Sequence, residues 1–206
     1  MLEERDWFNF AKIRWLDEFM IGHKGFIAGG CFKNIFNNEK VKDLDIFFEN
    51  EIDFNEAVRY YESKPEEWYL YYKNDKVISF RQLGEYKKPI AIELIKTVFG
   101  TPKEILNEFD FTITKYAYYK DITEDEEGQH TEYKVLCHDK FFEHLHMKRL
   151  VVDEKLPYPI STFERMLRYA KYGYFPCKET KMRIIYGIRE VENVNGLSES
   201  LYDGLD

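Results

Sequence analysis

Apolar residues recur at helical spacing from Glu4 to Gly22, where Trp7, Phe8, Ala11, Ile13, Trp15, Leu16 and Phe19 line one side of an expected amphipathic helix. The short run Phe26-Ile27-Ala28 then reads as a strand, and Gly29-Gly30 opens a helix over Cys31–Phe36. Asp43-Leu44-Asp45-Ile46-Phe47-Phe48 alternates as a strand, and Asp53 is placed to cap a helix running to Tyr61. Trp68–Tyr72 and Lys76–Phe80 read as strands joined at Asn74-Asp75, a hairpin signal. Ile90–Lys96 reads as another strand, and Pro102 in a first turn starts a helix through Asn107. A long strand is expected over Phe109–Lys120, an acidic exposed loop over Thr123–Gln129 and an antiparallel return over Thr131–Cys137. Beyond Asp139 the pattern turns helical, with helices over Lys140–His146, Thr162–Tyr172 and Glu179–Val191. The expected fold is therefore α/β (α+β), a mixed sheet packed on helices over residues 1–146, followed by a small helical neck over 147–206.

Composition narrows this picture. At 206 residues the chain suffices for one sizeable domain and a small helical appendage, and 44% apolar content suits a packed globule. An apolar run of about 18 residues, the length of a membrane span, is missing, and the acidic start MLEERDWFNF is unlike a signal peptide. Cys31, Cys137 and Cys177 lack paired spacing, which points to a reducing cytoplasm. The net charge of −8 argues against sequence-independent grip on nucleic acid. Its distribution says more, since residues 147–190 hold ten Lys or Arg against five Asp or Glu, whereas 191–206 hold four acids and no base. The helical end would thus face a phosphate-bearing ligand as a cationic surface, or stand as a solvated helix face.

Chemistry concentrates between Ile27 and Phe48. Side chains two apart on a strand share a face, so Asp43 and Asp45 converge while Leu44 and Ile46 anchor the strand in a core. Two crowded carboxylates repel unless a divalent cation lies between them, and Mg²⁺ is the simplest occupant. Upstream, Gly29 and Gly30 would let a phosphate chain approach main-chain N–H groups without meeting a Cβ. Glu93, a lone acid inside the apolar strand Ile90–Ile95, would be the third carboxylate or would pair with a structural Lys or Arg.

Gly29-Gly30 followed by Asp43-Leu44-Asp45-Ile46 resembles the glycine-pair and DxD signature of the polymerase β-like nucleotidyltransferases. Glu108-Phe109-Asp110-Phe111-Thr112-Ile113-Thr114 resembles the RRDFTIN motif of class II CCA-adding enzymes and bacterial poly(A) polymerases, with Phe109 and Thr114 replacing an Arg and an Asn. Glu164 to Tyr174 is similar to the arginine-bearing neck helix of that family. The resemblance implies transfer of a nucleoside monophosphate from an NTP, ATP or another ribonucleotide, to an acceptor hydroxyl, with two Mg²⁺ ions. It implies metal ligation and catalysis by Asp43, Asp45 and Glu93, or by Asp110 in place of Glu93 as third carboxylate. Nucleotide contacts would come from Gly29, Gly30, Lys33, Asp110, Arg165, Arg168 and Lys171. The acceptor it suggests is an RNA, tRNA-like 3′ end; a small metabolite and a protein side chain stay open. The rival reading is a degenerate, non-catalytic nucleotidyltransferase fold that binds nucleotide or a partner protein as a regulator or inhibitor.

Two other constellations carry less. Cys137, His138, His144 and His146 are close in sequence, but the spacing departs from zinc-finger and ribbon patterns and a structural role is expected. The aromatics Trp68, Tyr69, Tyr71, Tyr72 and Phe80 read first as strand packing, with one exposed tyrosine left as a platform for a base.

Overall fold

The computed structural model describes residues 1–6, 11–84, 89–125, 128–153 and 155–191. Its centre is an eight-stranded mixed sheet of order β1-β8-β7-β2-β3-β6-β5-β4. The strands are β1 (Leu2–Asp6), β2 (Phe26–Ala28), β3 (Asp43–Phe47), β4 (Trp68–Lys73), β5 (Val77–Gln82), β6 (Ala91–Ile95), β7 (Tyr116–Asp125) and β8 (Gly128–His138). Helices α1 (Cys31–Phe36), α2 (Glu51–Glu62), α3 (Pro102–Glu108) and α4 (Phe141–His146) are interleaved with them. Beyond α4, β9 (Arg149–Leu150) pairs in parallel with β10 (Phe175–Pro176), and α5 (Pro159–Lys171) and α6 (Lys178–Arg189) pack together. The expected α+β class, a mixed sheet packed on helices, is the fold observed.

Strand alternation divides the core. Ile27, Leu44, Ile46, Ile92, Leu94, Ile78 and Phe80 enter a large cluster with residues of α1, α2, α4 and α5. Phe26, Ala28, Phe47 and Ala117 face the other way, onto Ile105 and Leu106 of α3. The second face is only partly roofed, and β3 and β6 place their acids on it.

Local chemistry explains most elements. Asn50, one turn ahead of the expected Asp53, caps α2 by accepting the Asp53 N–H at 2.9 Å. Thr101 and Glu104 form a capping box around Pro102 at the start of α3. Asn74 Oδ1 accepts the N–H groups of Lys76 and Val77, which closes the predicted hairpin.

Four stretches differ from the sequence expectation. Leu2–Asp6 is a strand on β8 rather than the start of a helix, because pairing to an edge outweighs the local preference. Trp7 and Phe8 of that expected helix lie outside the described residues. Ala11–Met20 is a 3₁₀ helix, and its buried Ile13, Leu16 and Phe19 fall three apart, which suits three residues per turn. Phe109–Lys115 is a buried run of turns rather than strand. There the Asp110 carboxylate accepts the Phe111 N–H at 2.8 Å and Thr114 Oγ1 donates to the Phe111 carbonyl, side-chain bonds that compete with a ladder. β7 and β8 run longer than expected, to Asp125 and from Gly128, so much of the expected acidic loop is hairpin; residues 126–127 at its tip lie outside the described residues. Most of the acidic tail, 192–206, lies outside them too.

Candidate active site

β3 and β6 run in parallel with Asp45 level with Glu93 and Asp43 level with Ala91. Leu44 and Ile46 are fully buried in the large cluster, so the alternate residues Asp43 and Asp45 stand on the partly roofed face. Glu93 stands beside Asp45 on the neighbouring strand. All three carboxylates line one open cavity of about 410 Å³, whose other walls are Gly30, Cys31, Lys33 and Asn34 of the α1 segment, Glu39, Lys40 and Lys42 ahead of β3, and Arg168, Tyr169 and Tyr172 of the α5 segment.

Each wall has a local cause. Gly29 has φ +99, a region that disfavours a side chain, and its N–H is committed to the Tyr116 carbonyl at 3.0 Å. Gly30 follows in ordinary helical geometry (φ −66) and leaves the cavity wall bare. Burial, and then the charges of Asp45 and Asp43, push the Cys31 thiol well above its usual range, so Cys31 is a wall and not a nucleophile. Lys33 is buried; it donates to Asn34, pairs with Glu39 at 3.3 Å and sits 5.3 Å from the ring of Tyr172. Burial is the largest influence and lowers its pKa, helped by the charge of Lys148, while Glu39 works in the opposite direction.

The arginines of α5 separate. Arg168 lines the cavity. Arg165 instead donates through Nε and Nη2 to Asp110 Oδ2 at 2.9 and 2.6 Å and through Nη1 to Ser161 at 3.0 Å. Asp110 and Arg165 are 2% and 5% exposed and neither is among the cavity-lining residues; nor are Gly29 and the exposed Lys171. The structure thus brings together Gly30, Lys33, Asp43, Asp45, Glu93 and Arg168, and pairs Asp110 with Arg165.

Sequence reading took Tyr72 as one of the packing aromatics and missed its place at the site, where its hydroxyl donates to Glu93 Oε1 at 2.9 Å. Burial, the hydrogen bond to Glu93 and the charges of Asp45 and Asp43 all raise its pKa, so the phenol is held protonated. Placing Tyr72 requires the order β3-β6-β5-β4, which local pattern does not contain. Two of the histidines noted in sequence take separate partners: His144 Nδ1 bonds Thr112 at 2.8 Å and His138 sits 3.0 Å from Asp139.

Among the described residues no three His, Cys, Asp or Glu side chains are gathered tightly enough to cage a metal ion. The donor set nevertheless suits one: Asp43, Asp45 and Glu93 offer hard carboxylate oxygens on adjacent strands at one cavity, with Glu93 held by Tyr72. No helix of the described residues is long and apolar enough to cross a membrane.

Residues 6–148 match the family described as Gabija anti-defense 2 family protein. The chain belongs to that family. Gabija anti-defense 2 from Bacillus phage SPbetaL7 is 27% identical over 167 residues, covering 79% of this chain and 37% of that relative. The chain therefore spans well under half the length of the family member it matches. In solved structures the fold is similar to that of the Thermotoga maritima CCA-adding enzyme complexed with tRNA_CCA, with a TM-score of 0.56 and 17% identity over 98% of this chain and 52% of that one. It is also similar to a CCA-adding enzyme in complex with CTP, with a TM-score of 0.57 and 17% identity over 91% of this chain and 45% of the other. These likenesses establish a nucleotidyltransferase-like fold in a Gabija anti-defense 2 family member.

Proposed function

We propose that this family member is a metal-dependent nucleotidyltransferase that moves a nucleoside monophosphate from an NTP, of which ATP is the first to test, to an acceptor hydroxyl. The observation that carries the reading is the side-by-side placement of Asp45 and Glu93, with Asp43, at a cavity that also presents Lys33 and Arg168. Residues 1–146 would form the catalytic lobe and 147–206 the neck. Asp43, Asp45 and Glu93 would hold Mg²⁺, which when bound neutralises phosphate charge and acidifies a hydroxyl. Lys33 and Arg168 would receive the phosphates and Gly30 would leave them room, while Asp110 and Arg165 would position α5 rather than touch the nucleotide. Attack of the acceptor oxygen on the α-phosphorus would release pyrophosphate. An RNA 3′ end is the acceptor suggested by fold neighbours solved with tRNA, and the family name suggests a role in anti-defence.

The second reading, a nucleotide- or protein-binding regulator on a nucleotidyltransferase fold, is favoured by the anti-defence name of the family. Asp45→Asn decides between them. The first reading expects loss of Mg²⁺-dependent NTP binding and of transfer from α-labelled NTP to RNA, with unchanged circular dichroism. Wild-type transfer by Asp45→Asn would remove Asp45 from the mechanism, and no transfer by the wild type with any NTP would leave the regulator reading.

A further inference from the structure

We propose that Tyr72 is itself an acceptor: the protein nucleotidylates its own Tyr72 hydroxyl. The inference rests on the transferase reading and names a substrate for that site.

Three observations converge on this hydroxyl. Tyr72 Oη donates to Glu93 Oε1 at 2.9 Å, so the phenol occupies the place where a hydroxyl must sit for Glu93 to take its proton. Ser79 stands between them on β5, opposite Glu93 on one side and Tyr72 on the other, yet its Oγ is fully buried and makes no hydrogen bond among the described residues. The hydroxyl that reaches the carboxylate is therefore the accessible one, from the edge strand, whose residue is 37% exposed. Finally, the register of β4 on β5 shifts between Leu70 and Tyr72. Continued regular pairing would set Tyr71 opposite Ser79 and turn Tyr72 to the other face; the shift sets Tyr72 opposite Ser79, on the face of Glu93. Bulges of this kind re-aim side chains beside active sites, and here the side chain re-aimed is a nucleophile.

The step balances within the protein and one NTP. A bond forms between Tyr72 Oη and the α-phosphorus, the bond from the α-phosphorus to the bridging oxygen of the β-phosphate breaks, and pyrophosphate departs with that electron pair. The phenolic proton passes to Glu93 Oε1. The product is an aryl phosphodiester on Tyr72.

The test incubates the full chain with Mg²⁺ and, in turn, ATP, CTP, GTP and UTP labelled at the α-phosphate, followed by intact mass and peptide mapping. Wild type should gain the mass of one nucleoside monophosphate, mapped to Tyr72, and protein purified from cells should carry a fraction of the same adduct. Tyr72→Phe should lose the adduct, and peptide maps of wild type should place it on Tyr72 and on no other residue. Wild type that binds NTP and labels added RNA, yet gains no mass, would overturn the inference and leave the transferase reading intact. Equal labelling of Tyr72→Phe would overturn it as well. Wild type that neither binds NTP nor labels anything would remove both.

Discussion

Asp110 and Arg165 form a buried ion pair that fastens α5 to the turn-rich segment after α3, with one carboxylate oxygen accepting from both Nε and Nη2. Removing one partner leaves a buried charge uncompensated, so Arg165→Met should destabilise the fold by about 3–5 kcal/mol. Asp110→Leu combined with Arg165→Met should cost far less than the two single changes added together. Denaturant titration of the four proteins checks this. Additive losses would show that the pair is not a unit.

The two glycines ahead of α1 should respond differently. Gly29→Ala forces a side chain onto a backbone at φ +99 and should lower stability by about 1–3 kcal/mol. Gly30→Ala meets only the Tyr169 hydroxyl, at 3.5 Å, and keeps φ −66, so its stability should stay within about 0.5 kcal/mol. Because Gly30 lines the cavity, that same variant should bind NTP more weakly. Thermal melts with and without Mg²⁺ and ATP separate the two effects, and unchanged ATP stabilisation in Gly30→Ala would remove Gly30 from the nucleotide site.

Arg168 lines the carboxylate cavity from α5. If it grips phosphate, Arg168→Ala should weaken binding of a non-hydrolysable ATP analogue by about 1.5–3 kcal/mol, the worth of a hydrogen bond to a charged group. The loss should shrink as salt rises. Calorimetric titration at two salt concentrations reads it directly, and equal affinities at both would discard the assignment.

His23 predicts a pH dependence of folding. Its Nδ1 accepts the Gly25 N–H at 3.0 Å, so Nε2 carries the proton that goes to the Phe19 carbonyl at 3.1 Å, and the ring is neutral. Burial first, and the charge of Lys120 second, push its pKa from 6.5 down to about 4, against the upward pull of the Phe19 bond. The unfolded chain therefore binds the extra proton between these values, so stability is full above about 6.5 and falls as pH drops toward 4, by about 3 kcal/mol in all. Melting temperatures from pH 7 to 5, above most carboxylate titration, should fall in wild type and stay flatter in His23→Gln. Parallel curves would exclude His23 as the source.

The acids were legible in sequence because their signal is local: Asp43-Leu44-Asp45 alternates within one strand, and Glu93 interrupts an apolar run. So were most elements, from the Asn74 turn to Pro102 at the start of α3. What escaped depends on distant partners. Leu2–Asp6 became a strand because β8 offered an edge, and Asp110 met Arg165 because α5 folds back over a segment 55 residues earlier. Tyr72 escaped for the same reason, since it reaches Glu93 only through strand order and a register shift. Resemblance to nucleotidyltransferase motifs brought out Asp110 and Arg165 as residues of interest without disclosing that they bind each other.

Parallel pairing of β3 with β6 ties reactivity to foldedness. Were β6 to slip by one residue, Ile92 or Leu94 would rise beside Asp45 and Glu93 would sink into the apolar interior. Such a slip is therefore paid in core stability before any acid can drift out of line. Every variant that still folds should still present Asp43, Asp45 and Glu93 side by side, and among natural relatives a silent site would be recognised by replaced side chains rather than by a displaced strand.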